Sequence, residues 1–140
     1  MDWVPQGPDP FVFVVLLLVT MLGAKRLADR WSRDAKYAED KSSALLHEVL
    51  SESECQHLER FACLMVPSPS RPRRTYCIPS RPGMVTVYES GKQVMRLCLQ
   101  PVDSLPSGDM VLMLKLMIEA NEEEYLRMAN VQPAACTLTR

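Results

Sequence analysis

Phe11–Ala24, FVFVVLLLVTMLGA, is a run of fourteen residues without a charge, broken by a single polar side chain, Thr20. Asp9 and Pro10 stand before it as a cap and a first helical residue, where the missing proline N–H costs nothing. Extended from Pro10 to Leu27, with Lys25 and Arg26 reaching back towards water, the segment makes a helix of about 27 Å, enough for a thin bilayer. Residues 10–27 therefore predict a transmembrane helix, preceded by a short segment, 1–9, on the far side of the membrane.

The pattern then changes. From Lys25 to Lys41, acids and bases interleave at helical spacing and only Leu27, Trp31, Ala35 and Ala38 form a thin apolar stripe. This predicts a solvated juxtamembrane helix over 28–42 that continues the membrane segment. Leu45, Leu46, Val49 and Leu50 next cluster on one side of a helix. Ser51 and Glu54, three apart, make a capping-box signature for another helix, in which Cys55, Leu58, Ala62 and Met65 recur at three-and-four spacing.

Residues 67–83 hold five prolines and four arginines with no acid, and the tetrapeptide Pro-Ser-Arg-Pro occurs twice, at Pro69–Pro72 and Pro79–Pro82. The amphipathic helix before this stretch and the alternating segment after it each have an apolar face in need of a partner. The stretch is therefore expected as a surface loop inside one domain, and Arg74–Ile78 as a third strand held to the sheet edge by Pro79. Val85–Leu99 alternates around Ser90-Gly91 and predicts a β-hairpin.

Ser107-Gly108-Asp109 offers a cap for a last helix rich in Leu and Met, and residues 130–140 show no pattern and predict a flexible tail. The expected fold class is α+β: a single transmembrane helix and charged stalk, then a small helix, hairpin or three-stranded sheet, and helix domain over residues 43–129.

Composition sharpens this reading at two points. The net charge is only -1, with 16 bases against 17 acids, which opposes a nucleic-acid binder driven by overall charge. The bases are segregated, however: Lys25, Arg26, Arg30, Arg33 and Lys36 directly follow the apolar run and no base precedes it. That asymmetry predicts a cytosolic carboxyl-terminal part, in the endoplasmic reticulum or another endomembrane, with the mitochondrial outer membrane as the alternative.

Chemistry is sparse. The cysteines at 55, 63, 77, 98 and 136 form no C-x-x-C pair, and neither His47 nor His57 stands in a local catalytic signature. No glycine-rich phosphate loop is present. The sequence therefore predicts no catalytic site, metal or cofactor, and buried thiols.

The candidate contacts are those of binding. Pro69, Pro72 and Arg74 fit a P-x-x-P-x-basic pattern recognised by SH3-type partners, and Met110, Met113 and Met117 could form a soft groove for another protein. The predicted function is a non-enzymatic, single-pass tether or accessory subunit of a membrane complex, whose partners are the bilayer and another protein. The rival is a secreted or luminal protein with a cleaved signal peptide and a partly disulfide-bonded α+β domain.

Overall fold

A computed structural model describes residues 10–133. The chain divides into two units, Met1–Tyr37 and Ala38–Arg140. Helix α1, Pro10–Val49, starts in the first and ends in the second without interruption, so the membrane segment, the stalk and the first domain helix of the sequence reading are one helix. In the first unit its apolar residues are exposed all round, and the Thr20 hydroxyl donates to the Leu17 carbonyl one turn back, leaving no polar side chain of the run unpaired.

The second unit is α+β. After α1 come α2 (Glu52–Phe61), strands β1 (Cys63–Pro67), β2 (Arg74–Pro79), β3 (Val85–Glu89) and β4 (Lys92–Cys98), helix α3 (Ser107–Met128) and strand β5 (Asn130–Pro133). The five strands form one antiparallel sheet in the order β1-β2-β3-β4-β5, with α3 crossing over between β4 and β5. Alternation puts Leu64, Val66, Tyr76, Ile78, Val85, Val87 and Leu97 on one face. That face packs with Val111, Leu114, Ile118 and Tyr125 of α3 and with Leu46, Leu50 and Leu58. The opposite face carries the half-exposed Cys63, Thr75, Cys77 and Thr86 and the more exposed Met65.

Three expectations need correction. The helix expected to reach Met65 stops at Phe61, because Ala62 turns left-handed (φ 53°) and the next five residues pair with β2. The residues CLMV fit either period, and burial of Leu64 and Val66 on the sheet decides for the strand.

Strand β2 is interior, paired on both sides, and makes residues 74–79 of the expected loop a part of the sheet. Pro79 is tolerated because the β2–β3 ladder runs only from Arg74–Glu89 to Cys77–Thr86, so its missing N–H deprives no partner.

The tail read as flexible supplies β5 over Asn130–Pro133; residues 134–140 lie outside those described. The sheet thus has five strands where the hairpin or three-stranded reading has two or three.

Other local signals hold as read. Ser51 and Glu54 form the capping box of α2. The β3–β4 hairpin turns at Ser90-Gly91, both at positive φ (50° and 77°), the backbone that a two-residue hairpin favours.

Helix α3 is capped from outside its own sequence. The Ser107 N–H donates to the Glu39 carboxylate at 3.0 Å and the Asp109 N–H to Ser42 Oγ at 2.7 Å, so α1 satisfies amides that Pro106, the residue before the helix, leaves free. Gly108 makes the approach possible: a Cβ there would lie 2.6 Å from Ser42 Oγ and 2.7 Å from the Ser42 carbonyl oxygen. Lys115, the one charge within the apolar stretch Met110–Ile118 of α3, is not wasted either; it bonds Glu119 one turn on and reaches Glu54 of α2 at 3.0 Å.

Candidate functional site

Within α3 the backbone leaves helical geometry at Asn121 (φ -156°, ψ 79°), and Asn121 Oδ1 accepts the Glu124 N–H at 3.1 Å. Asn121 thus acts as a helix cap in mid-helix, dividing α3 into two helical parts. Glu122 becomes the first residue of the second part, where a carboxylate suits the positive end of the helix dipole. It turns inward and is buried.

There it collects the proline-rich loop. Ser68 Oγ donates to Glu122 at 2.7 Å, the Ser70 N–H at 3.1 Å, Ser70 Oγ at 2.6 Å and the Tyr76 hydroxyl at 2.5 Å. The Arg74 guanidinium lies 3.7 Å away and gives its closer bonds to Glu89, from Nε at 2.9 Å and Nη2 at 2.5 Å. Burial alone would raise the Glu122 pKa, but the donors from Ser70, Tyr76 and Ser68 outweigh it and hold the carboxyl at about 2. Tyr76 is pushed up to about 12, first by burial and then because ionisation would set two anions together. The ensemble is a carboxylate clamped by neutral donors and balanced by one buried arginine.

The clamp decides what the loop shows. A turn closed by Arg74 N–H to the Arg71 carbonyl at 3.0 Å places Pro72 at its second position. Pro69 lies in a bend, so Pro69–Pro72 is folded back and not presented as an extended polyproline helix. Pro69 is exposed, and the exposed Arg71, Pro72 and Arg73 border a shallow notch of about 300 Å³ closed by Glu89 and Ser90. The Arg71–Glu89 pair at its mouth, at 3.5 Å and mostly in water, contributes little stability.

Each sequence-predicted contact residue can now be placed. Arg74, expected to reach a partner, is only 6% exposed and is committed to Glu89 and Glu122. Met110, Met113 and Met117 are half-buried against the core. An apolar depression of about 300 Å³ runs along α3 beside Leu116, Met117, Ala120 and Tyr125, so Met117 alone of the three borders it. Lys25, Arg26, Arg30, Arg33 and Lys36 lie exposed on α1 in the first unit, away from the loop in sequence, and the loop and the methionines do not converge on one site.

Sequence reading missed Glu122 as the organising residue, because Glu122-Glu123-Glu124 looks like a wet helix end. One local signal was available: an Asn followed three residues later by a Glu is a cap pattern, here inside a helix. The partners Ser68, Ser70 and Tyr76 lie 46 to 54 residues away and carry no such signal. No family model matches the chain, and neither a curated protein nor a solved structure shows significant similarity to it.

Proposed function

We propose that this is a non-enzymatic, single-pass membrane protein that displays a small α+β module to the cytosol as a tether or accessory subunit for another protein. The observation that carries the reading is the amino-terminal part of α1: it is long and apolar enough to cross a membrane, its most apolar window has a mean hydropathy of 2.1, and none of that window is buried. A soluble core helix would hide such a face.

Lys25, Arg26, Arg30, Arg33 and Lys36 at its carboxyl-terminal end support a cytosolic second unit, by the excess of bases on the cytosolic side of membrane helices. The endoplasmic reticulum suits the short span, with the mitochondrial outer membrane as the alternative. Confinement to the membrane raises the module's effective concentration for partners there. The Glu122 clamp supports the binding role in a specific way, since it holds Arg71, Pro72 and Arg73 in one fixed, solvent-facing turn.

Protease digestion of sealed membrane vesicles tests both halves. The second unit is expected to be cut without detergent while the membrane helix stays in the lipid fraction after alkaline extraction. A mature chain that begins near Lys25, or a second unit protected until detergent is added, would overturn the reading in favour of a luminal protein.

A further inference from the structure

The uncovered face of the sheet brings two cysteines and a methionine together on neighbouring strands. Cys63 and Met65 lie two apart on β1 and share that face, and Met65 stands directly opposite Cys77 of β2. The β1–β2 ladder bonds pass through Ser68–Arg74 and Ala62–Ser80, in step with Leu64 and Val66, so Met65–Cys77 is a non-hydrogen-bonded pair, the kind whose side chains come closest. Cys63, opposite Pro79, is the diagonal neighbour of Cys77. Both thiols are free and half-exposed, and Met65 is more exposed than either.

We propose that Cys63, Met65 and Cys77 form a binding site for a soft monovalent metal ion, Cu(I), held between the two sulfurs of the cysteines with the Met65 thioether as third donor.

The spacing favours an ion over a disulfide. Diagonal cross-strand neighbours stand roughly 7–8 Å apart, beyond the usual Cα range for a disulfide. A bridging ion adds two metal–sulfur bonds, about 2.3 Å each for thiolate. Donor chemistry then selects the metal. Thiolate and thioether together prefer Cu(I). Among the described residues no three His, Cys, Asp or Glu side chains converge to make a harder or tetrahedral site. The positions around the sulfurs in the ladder are Pro67, Thr75, Pro79 and Thr86, none of which offers a carboxylate or imidazole.

Binding is ligand exchange without electron transfer: Cu(I) enters as Cu(I), two S–Cu bonds replace two S–H bonds, and two protons leave to solvent.

The test uses the full chain in detergent, reduced and anaerobic, with Cu(I) titrated against a coloured Cu(I) chelator. One Cu(I) per chain is expected. Cys63→Ser and Cys77→Ser should each weaken binding by about 100-fold or more, the upper end of what even outer-shell losses cost, and Met65→Leu by about tenfold. Cys98→Ser and Cys136→Ser should leave it unchanged. Should either cysteine variant fold poorly, alkylation of the wild-type chain replaces it: Cu(I) should protect Cys63 and Cys77 from maleimide and leave Cys98 unprotected. Affinity unchanged in both cysteine variants, loss of binding in Cys136→Ser, protection of Cys98 alone, or equally tight binding of Zn²⁺ would overturn the proposal.

Discussion

The Tyr76 hydroxyl donates a 2.5 Å hydrogen bond to the Glu122 carboxylate across 46 residues of chain, tying an interior strand to the inner side of a helix break. Both side chains are buried, and Ser68, Ser70 and Arg74 complete the shell. Removing the carboxylate leaves these donors facing one another and Arg74 with Glu89 alone. Glu122→Ala is expected to lower the unfolding free energy by about 3–5 kcal/mol, as for other broken buried pairs. Ser70→Ala, which removes one donor of several, should cost about 1 kcal/mol. Urea unfolding followed by circular dichroism checks both; equal effects from the two variants would show that the clamp is not centred on Glu122.

The same carboxylate predicts an acid limb. Its folded pKa of about 2 lies below the unfolded carboxyl value near 4.3. A depressed pKa adds stability above the unfolded value and loses it as pH falls through the folded one, so stability should decline between roughly pH 5 and pH 2. Glu122→Gln should flatten that decline in thermal melts taken across the range.

Tyr76 predicts the opposite limb. Its pKa, raised to about 12, means that the neutral phenol's contribution is intact below the unfolded value of about 10 and is lost as pH rises through 12. Tyr76→Phe removes the hydrogen bond at neutral pH and should shrink this alkaline loss. An ultraviolet titration that finds all tyrosines ionising together near pH 10 would contradict it.

Gly108→Ala tests the approach of α1 to α3. Alanine is the better helix former by about 1 kcal/mol. Its Cβ, however, would meet a backbone oxygen at 2.7 Å as well as a hydroxyl at 2.6 Å, and a carbonyl in mid-helix cannot retreat as a side chain can. A net loss of about 1–3 kcal/mol is expected, the range for overpacking. Ser42→Ala removes one cap and should cost about 1 kcal/mol, with no rescue of Gly108→Ala in the double variant.

Ala62→Gly should stabilise the protein. Ala62 is left-handed where α2 gives way to β1, a conformation that strains any residue with a Cβ. After the greater entropy of glycine in the unfolded chain is deducted, about 0.5–1 kcal/mol should remain. A lower denaturation midpoint for this variant would place Ala62 in a helix that continues past Phe61.

How far the fold was legible in the chain depends on the range of the signal. The capping box at Ser51 and Glu54 and the turn at Ser90-Gly91 are local chemistry, and both stand where the sequence puts them. Cys63–Pro67 has apolar residues that fit a strand and a helix equally, and only its pairing with β2 breaks the tie. Arg74 illustrates the same limit in charge. In sequence it is one of four arginines in a loop without acids, and in the fold it is the one that two glutamates from other elements bury.

The apolar run, its basic flank and the presence of an α+β unit after it were determined by the sequence alone, because an apolar stretch beside charges and a change of period from helix to strand are properties of neighbouring residues. Tertiary structure alone decided that β2 is interior, that Asn130–Pro133 joins the sheet, and that Glu122 holds the proline-rich loop. Each of these depends on pairing between distant segments, where burial and hydrogen bonding are settled by what meets and local propensity is overridden.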